Sequence, residues 1–356
     1  MTVKEDILFE TSGRTGVVTL SKPETLNAVT DAMLTALNQQ LDHWEADVAI
    51  ERVLIKAVPG RAFSAGGDIR HLYDRGIAKD YDFDFFAREY VLNARINKFP
   101  KPYIALIDGI VMGGGVGVSF HGSHRIAGDN IAFAMPEVGI GFFPDVGASF
   151  LLSCLPGKIG LFLGLTGERV KQSDAIWCGL ASHGCTSADL PALEKLLCEI
   201  QDIEAAIDKY HQRFLLTLEE PGPLERCEHW INNHFDKASV AEIQNSLKQA
   251  TAFEGDEASW AGKILDILLQ KSPTSLEVAF RQITRGRDLD INQCMKMEYR
   301  ILRRILTGRE FYEGIRAAII DKDRAPKWQP DNLLQVDAKD IEAHFQKLGA
   351  QELVLS

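Results

Sequence analysis

The sequence has few of the features that mark specialised protein classes. Its 356 residues include only six cysteines, with no CxxC spacing, which predicts reduced thiols and neither a disulfide framework nor a zinc site. Acidic residues outnumber basic ones, 50 to 39, and the net charge is −11. Because phosphate neutralisation supplies most nucleic-acid affinity, we expect no nucleic-acid partner. An apolar fraction of 46% and a charged fraction of 25% exclude a disordered or fibrous chain.

Long hydrophobic runs and targeting signals are also missing from the sequence. The most apolar window, 104–120, is interrupted by Asp108 and by five glycines, whereas a membrane span needs about 20 apolar residues. The N-terminal residues include acidic side chains and no apolar run, so we expect neither a signal peptide nor a transit peptide. These features predict a cytoplasmic protein with no membrane partner, although a processed organellar form would look the same.

The chain divides into two parts of different character. Between the first two strand candidates, apolar residues follow a helical spacing with Thr30 as the N-cap. Strand–helix–strand units of this length predict an α/β fold with parallel pairing. We therefore predict an α/β core at 1–200 and a mostly helical region at 201–356, which has few glycines. The strand candidates are the β-branched runs 16–20, 53–57 and 103–107.

A first candidate site is the segment Phe63–Asp68, with the sequence FSAGGD, shortly after the second strand candidate. Two glycines allow a sharp turn and leave amide N–H groups free to face a ligand. The alternative is an ordinary turn between a strand and a helix, with Asp68 as the helix cap.

A second candidate is the glycine-rich segment Asp108–Gly117 after the third strand candidate. Its three successive glycines bring bare backbone donors to the start of an apolar helix, where negative charge is favoured. No Gly-Lys-Ser/Thr follows, so it is not a Walker loop, and Val118 occupies the place of the third glycine of a dinucleotide fingerprint. The alternative is that the glycines only permit close packing of a helix on a strand.

A third candidate is the segment Met135–Gly147, in which two carboxylates, Glu137 and Asp145, lie among apolar residues, glycines and prolines. Burying an unpaired charge is costly, so carboxylates in such surroundings indicate a functional role. Desolvation or a like-charge neighbour raises a carboxyl pKa, which suits acid–base chemistry near neutral pH. The alternative is a pair of N-cap or ion-pair carboxylates.

These motifs, together with the Lys22–Ala28 segment KPETLNA, resemble the crotonase (enoyl-CoA hydratase/isomerase) superfamily. The resemblance implies a spiral of ββα units that binds an acyl-CoA, with the thioester oxygen held between the backbone N–H groups of Ala65 and Gly114. Such an oxyanion hole suits a thioester, whose carbonyl oxygen gains charge during the reaction. Coenzyme A is then part of the substrate, so no cofactor and no metal are expected.

The resemblance can be narrowed to a branch of the superfamily. Hydratases use two glutamates, and Gly117 stands at the first of these positions while Glu137 stands at the second. Asp145 and the segments 310–317 and 320–328 are similar to the 3-hydroxyisobutyryl-CoA hydrolase branch. The resemblance therefore implies a thioester hydrolase that uses Glu137 and Asp145. An enoyl-CoA hydratase or isomerase with Glu137 as sole base, and a non-catalytic module that binds CoA, are the alternatives.

The resemblance also implies where the substrate binds. Glu89 matches a position that contacts the acyl group. Lys22, Lys56 and Arg61 are candidates for the CoA phosphates because they flank the relevant turns, although surface cations are usually only solvated. The helical region is expected to cover the acyl pocket or to form a subunit contact, which leaves a homo-oligomer open. The residues expected to contact the CoA are Ala28, Gly66, Gly67 and Asp68.

Overall fold

The computed structural model describes residues 6–218 and 220–355. Contacts between Cα atoms divide the chain into two compact units, each assembled from three stretches of sequence. This division differs from the single boundary predicted after residue 200, because two short stretches of the first half group with the later helices. The first unit holds the chain up to Gly67 with Arg88–Ala134 and Arg169–Arg226; the second holds Asp68–Ala87, Met135–Glu168 and the chain from Cys227 onwards.

The first unit contains two sheets, which confirms the predicted α/β class. The larger has the strand order β1-β2-β3-β5-β7-β9 and is parallel except for the β1–β2 pair; the smaller is parallel, in the order β4-β6-β8. The strands are β1 (Ile7–Ser12), β2 (Thr15–Leu20), β3 (Arg52–Ala57), β4 (Ala62–Ser64), β5 (Tyr103–Ile107), β6 (Ile110–Met112), β7 (His124–Ala127), β8 (Ala132–Ala134) and β9 (His183–Gly184).

Helices make up most of the remaining structure, and the described residues after β9 form only helices and loops, as predicted. None of the described helices combines the length and the apolar composition needed to span a membrane. The helices are α1 (Asp31–Ala46), α2 (Ile69–Ile77), α3 (Phe83–Asn97), α4 (Gly114–Gly117), α5 (Ala148–Ser153), α6 (Ile159–Thr166), α7 (Gln172–Trp177), α8 (Leu190–Glu199), α9 (Ile203–Leu215), α10 (Pro223–Arg226), α11 (Glu228–Phe235), α12 (Val240–Ala250), α13 (Asp256–Leu269), α14 (Pro273–Gly286), α15 (Ile291–Ile305), α16 (Glu310–Ile315) and α17 (Ala338–Ala343).

The crossover from β2 to β3 shows how the sequence builds the larger sheet. Thr30 caps α1 by accepting the Met33 N–H at 3.3 Å, as predicted. One face of α1 is buried, and its Trp44 packs so closely over β2 that a Cβ at Gly16 would lie 2.4 Å from the indole. The glycine thus allows the helix to approach the sheet, and the helical crossover leaves β2 and β3 parallel.

The smaller sheet positions the glycine-rich turns. The chain passes from β5 to β6 through Gly109, which has a φ of 90° and no room for a Cβ, since that atom would lie 2.8 Å from the Arg61 carbonyl oxygen. In a parallel sheet the carboxyl ends of neighbouring strands lie at the same edge, where ligands usually bind. The turns at 65–67 after β4 and at 113–115 after β6 therefore share one edge of the smaller sheet.

Candidate active site

The turns after β4 and β6 lie against each other within the first unit. Gly66 has a φ of 106°, a conformation that favours glycine. A Cβ built on Gly66 would lie 3.5 Å from the Met112 carbonyl oxygen and 3.9 Å from the Gly114 nitrogen. The structure thus brings together two of the three segments that the sequence singled out.

One of the two predicted N–H donors is available in these turns, and the other is not. The Ala65 N–H donates to the Leu26 carbonyl at 2.9 Å, so the prediction that it faces an oxyanion is wrong: the donor is already used to fix the turn. Across the described ranges 6–218 and 220–355, the N–H groups of Gly67 and Gly114 donate to no protein acceptor. Gly67 and Gly114 are therefore among the residues of these two turns whose amides are free, and a pair of free amides is what the predicted oxyanion hole would require.

Asn27 explains why the predicted Ala28 segment lies beside this turn. Its carboxamide donates to the carbonyls of Ala62 and Phe63 in β4, both at 3.0 Å. Two residues later, the Val29 N–H donates to the Gly66 carbonyl at 2.8 Å. These bonds hold the chain against the Gly66–Gly67 turn. The structure therefore brings Ala28, Gly66 and Gly67 together; their contact with a substrate remains a prediction.

Glu89 lies directly beside the Gly114 turn. It is carried by α3, is 3% exposed, and one of its carboxyl oxygens lies 2.6 Å from the position of a Cβ built on Gly114. Any larger residue at 114 would displace this carboxylate. Glu89 thus lies at the Gly114 turn within the first unit, and its predicted contact with the acyl group stays a prediction.

At Gly117, the position where hydratases have their first glutamate, the side chain of Asn93 occupies the space. A Cβ on Gly117 would lie 2.5 Å from the Asn93 carboxamide, whose nitrogen donates to the Gly117 carbonyl at 3.1 Å and to the Glu89 carbonyl at 3.2 Å. The structure therefore has no space at position 117 for any side chain, including that of a glutamate. Sequence analysis missed Asn93, whose only signal is its place one turn after Glu89 on α3.

In the second unit Glu137 is the first residue of a 3-10 turn, Glu137–Ile140. The turn ends at Gly141, where φ is 68° and a Cβ would lie 2.1 Å from the Glu310 carbonyl oxygen. Glu137 is 8% exposed, and its Oε2 has no hydrogen-bond partner among the described residues. Burial, and secondarily the charge of Asp145, raise the pKa of Glu137 well above its usual range.

Asp145 is buried at the start of a strained turn of the second unit. Val146 has a φ of 54°, which is unfavourable for a β-branched residue, and Gly147 has a φ of 87°. The Glu298 carboxylate holds this turn by accepting the N–H groups of Gly147 at 2.7 Å and Ser149 at 2.8 Å. Burial raises the pKa of Glu298 to about 8, and the charge of Asp145 adds to this, while the two hydrogen bonds oppose it.

Glu298 and Gln282, whose amide donates to the Pro144 carbonyl, are buried groups that sequence analysis missed. For Glu298 a signal existed, because the apolar stripe of α15 that contains Met295 and Leu302 also contains this carboxylate. A carboxylate on the buried stripe of a helix indicates a polar partner. Gln282 carries the same signal, because the buried stripe of α14 that contains Ala279 and Ile283 also contains this carboxamide.

Asp68, predicted to contact the substrate, caps α2 by accepting the His71 N–H at 3.0 Å. This is the alternative role that the sequence left open for it. Asp68 is exposed, and a further contact with the substrate remains a prediction.

Comparisons with known proteins place the chain in a known family. Chain residues 15–345 match the model of a family described as enoyl-CoA hydratase/isomerase. The chain is 42% identical to 3-hydroxyisobutyryl-CoA hydrolase, mitochondrial, of Xenopus tropicalis, over 99% of this chain and 92% of that protein. It is 40% identical to the human protein of the same name, over 98% and 90% respectively.

Solved structures show the same fold over nearly the whole chain. A carnitinyl-CoA dehydratase from Mycobacterium thermoresistibile superposes with a TM-score of 0.90 at 35% identity, covering 98% of both chains. An enoyl-CoA hydratase from Rhodobacter sphaeroides gives a TM-score of 0.88 at 37% identity, covering 99% of this chain and 100% of that one.

The relatives correct one prediction and establish the family. The matched hydrolases are named as mitochondrial proteins, so the cytoplasmic location predicted from the N-terminal sequence is wrong; a lack of targeting signals does not identify a compartment. The predicted crotonase fold and superfamily are confirmed. The chain belongs to the enoyl-CoA hydratase/isomerase family, within which it is similar to the 3-hydroxyisobutyryl-CoA hydrolases.

Proposed function

We propose that this protein hydrolyses the thioester of a short 3-hydroxyacyl-CoA, with 3-hydroxyisobutyryl-CoA as the preferred substrate. The observation that carries the proposal is the Glu137 carboxyl, which is buried, has a raised pKa and has an unpartnered oxygen in the described structure. A carboxyl of this kind can attack an acyl carbon or take a proton from water. Relatives named for this hydrolysis match almost the full length of the chain.

Each group has a distinct part in the proposed reaction. The N–H groups of Gly67 and Gly114 hydrogen-bond the thioester oxygen and stabilise the charge that it gains. Glu137 has one of two roles. It attacks the acyl carbon and forms an anhydride that water then opens, or it removes a proton from a water molecule that attacks the acyl carbon. The C–S bond breaks, and CoA leaves as the thiol once it is protonated. Asp145 and Glu89 bind the polar end of the acyl group.

The second candidate is an enoyl-CoA hydratase, the name given to one of the matching solved structures. Against it stands the packing at Gly117, where the Asn93 carboxamide occupies the place of a glutamate side chain. A hydratase would have to add water to a C=C bond with Glu137 alone, where hydratases use two glutamates. Positioned acid–base groups contribute about 10²–10⁴-fold each, so the loss of one is a severe handicap.

One experiment separates the two reactions. The purified protein is given 3-hydroxyisobutyryl-CoA, straight-chain 3-hydroxyacyl-CoAs and crotonyl-CoA, and free thiol and enoyl absorbance are followed in the same sample. We expect thiol release from the branched 3-hydroxy substrate and little change in enoyl absorbance. Loss of enoyl absorbance from crotonyl-CoA without thiol release would instead identify a hydratase. Binding of CoA without turnover of any substrate would identify a non-catalytic module.

The pH dependence of Asp145→Asn tests the coupling of the two carboxyls. Glu137 must be ionised to act as nucleophile or base, so kcat/KM rises with pH through its pKa. The charge of Asp145 raises that pKa; removing the charge lowers it, and the acidic limb of the profile should move to lower pH. Burial remains, so the limb should stay above the pH expected of an exposed glutamate. An unmoved limb, or one shifted upwards, would contradict the coupling.

The proposal includes no cofactor, because the reaction needs only water and the CoA thioester. A homo-oligomer, and a helical region that covers the acyl pocket, remain predictions. Size-exclusion chromatography with light scattering measures the first directly.

A further inference from the structure

The carboxyl of Glu298, on α15, is fully buried and has no part in the reaction proposed above. Its two oxygens accept the N–H groups of Gly147 at 2.7 Å and Ser149 at 2.8 Å. These amides lie at the start of α5, where N–H groups have no acceptor within the helix. Gly147, the residue before α5, has no side chain that could accept them. Glu298 therefore caps α5 from a position 151 residues later in the chain.

The turn that Glu298 holds carries Asp145 and is strained. Val146 has a φ of 54°, and Gly147 has a φ of 87°. A β-branched residue is unfavourable in this region and persists only where its surroundings fix it. Hydrogen bonds to an ionised carboxylate are about twice as strong as those between neutral groups. Two of them act on the residues that follow Val146, so the Glu298 carboxylate opposes relaxation of the turn.

The other side of this turn is fixed by α14. Gln282 is also fully buried, and its amide donates to the carbonyl of Pro144, the residue before Asp145. Gly286, one turn later on the same helix, lies so close that a Cβ there would be 2.1 Å from the Ser149 carbonyl oxygen. Side chains of α14 and α15 therefore fix the backbone on both sides of Asp145.

Electrostatic coupling connects Glu298 to the carboxyls of the proposed reaction. The charge of Asp145 contributes to the raised pKa of Glu298 and to that of Glu137. Such an effect weakens with distance, so Asp145 lies close to both carboxyls. A displacement of the Asp145 turn would therefore also change the surroundings of Glu137.

The stability of the fold does not explain a carboxyl at position 298. Burial raises the pKa of Glu298 to about 8, and its hydrogen bonds oppose this rise without cancelling it. At neutral pH the folded chain therefore binds a proton that the unfolded chain releases, and stability falls as the pH rises towards 8. The geometry that Glu298 imposes on the Asp145 turn is the better explanation.

We propose that Glu298 is a positioning residue for Asp145: by accepting the two N–H groups at the start of α5, it fixes the turn from which the Asp145 carboxylate meets the hydroxyl of the acyl group. This inference rests on the proposed function, in which Asp145 binds the polar end of the acyl group. Glu298 itself does not touch the substrate. Its effect is on selectivity, because a displaced Asp145 loses its contact with a hydroxyl and loses nothing with an acyl group that has no hydroxyl.

Glu298→Gln tests the proposal with two ligands that differ by one hydroxyl, 3-hydroxyisobutyryl-CoA and isobutyryl-CoA. The amide keeps the size of the side chain but turns one of its two acceptors into a donor that faces a backbone N–H. We expect kcat/KM for the hydroxy substrate to fall about tenfold or more, since a misplacement of about 1 Å can cost about 10²-fold. Isobutyryl-CoA is followed as a second substrate or, if it is not turned over, through its inhibition constant, and its value should change little. Losses of equal size for both ligands would show a structural role only and overturn the proposal.

Two further variants complete this comparison. Glu277→Gln is the matched control, because Glu277 is a half-buried glutamate on α14 whose partner is Arg281, at 4.0 Å. It should leave the selectivity unchanged. Gln282→Leu serves if Glu298→Gln does not fold: it removes the donor to Pro144 and should lower the same selectivity. Unchanged selectivity in a folded Gln282→Leu protein would then count against the proposal.

The combination of Glu298→Gln with Asp145→Asn separates positioning from an independent effect. If Glu298 acts through Asp145, the double variant should be no slower on 3-hydroxyisobutyryl-CoA than Asp145→Asn alone. Independent effects would multiply, and a double variant slowed by the product of the two single losses would overturn the proposal.

Hydrogen exchange tests the hold on the turn without any turnover. In Glu298→Gln, the peptide that spans 144–151 should exchange faster than in the unaltered protein, while peptides from α12 and α13 exchange at the same rate. Unchanged exchange of the 144–151 peptide would overturn the proposal whatever the kinetics show. If the unaltered protein hydrolyses neither substrate, the proposed function fails, and the exchange result alone decides whether Glu298 holds the turn.

Discussion

Glu137→Gln is expected to lower kcat by about 10²–10⁴-fold, the range for removing a positioned acid–base group. The amide is nearly isosteric with the carboxyl, so the buried site keeps its packing, but it can neither attack an acyl carbon nor accept a proton from water. Binding of CoA should change little, because the free amides of the glycine turns are untouched. Single-turnover thiol release measures the rate, and titration with CoA measures the affinity.

Glu277→Gln is the matched control for this substitution. Glu277 is a half-buried glutamate of the second unit, and burial raises its pKa as it raises that of Glu137. It has no part in the proposed reaction. It should retain the kcat of the unaltered protein. If Glu137→Gln does so as well, Glu137 is removed from the mechanism. A fall in CoA affinity equal to the fall in kcat would instead indicate general damage to the site.

A single turnover in ¹⁸O-labelled water tests whether Glu137 attacks the thioester. If Glu137 attacks and water then opens the anhydride at the Glu137 carbonyl, that carboxyl keeps label. If Glu137 acts as a general base, or if water opens the anhydride at the acyl carbon, all label enters the released acid, so label in Glu137 is the result that identifies the attack. Mass spectrometry of the peptide that contains Glu137 reports the result.

The larger sheet and the helical later chain were predictable because their signals are local. The β-branched runs and the Thr30 cap correspond to β2, β3, β5 and the start of α1. The end of the helix could not be predicted, because Val48 continues the apolar spacing but is 95% exposed and α1 ends at Ala46. Periodicity indicates a face, and it says little about where the helix ends.

The smaller sheet and the choice of amide donor could not be predicted in the same way. The strands β4, β6 and β8 have three residues each, too few for a periodic pattern. Ala65 and Gly67 both lie in the predicted turn. They differ because the Ala65 N–H donates to the carbonyl of Leu26, which is almost forty residues earlier in the chain, and the Gly67 N–H does not donate to the described protein. Asn93 was missed for the related reason that it contacts Gly117, which is distant in sequence. The partners of Gln282 and Glu298 could not be predicted for the same reason, although each residue lies on the buried stripe of its helix.

Gly115→Ala is expected to damage the amide pair through its packing. A Cβ at 115 would lie 2.4 Å from the Ser64 carbonyl oxygen and 2.7 Å from the Ser64 Cβ. Ser64 is fully buried, and its hydroxyl donates to the Asn27 carbonyl at 2.8 Å, so it cannot move without β4. The turns that present Gly67 and Gly114 must then separate. Loss of one oxyanion donor costs about 10²–10³-fold in kcat, and we expect a loss of this size.

Stability and activity must be measured together on this variant, since overpacking alone costs about 1–3 kcal/mol of unfolding free energy. Urea unfolding gives the first quantity and thiol release the second. Gly60→Ala is the control, because a Cβ there meets no atom closer than 3.8 Å, and it should leave both unchanged. If Gly115→Ala lowers stability but keeps the full kcat, the amides of this turn do not stabilise the reaction. A large fall in kcat in a protein that remains folded, with CoA affinity retained, is the result that only a displaced oxyanion hole explains.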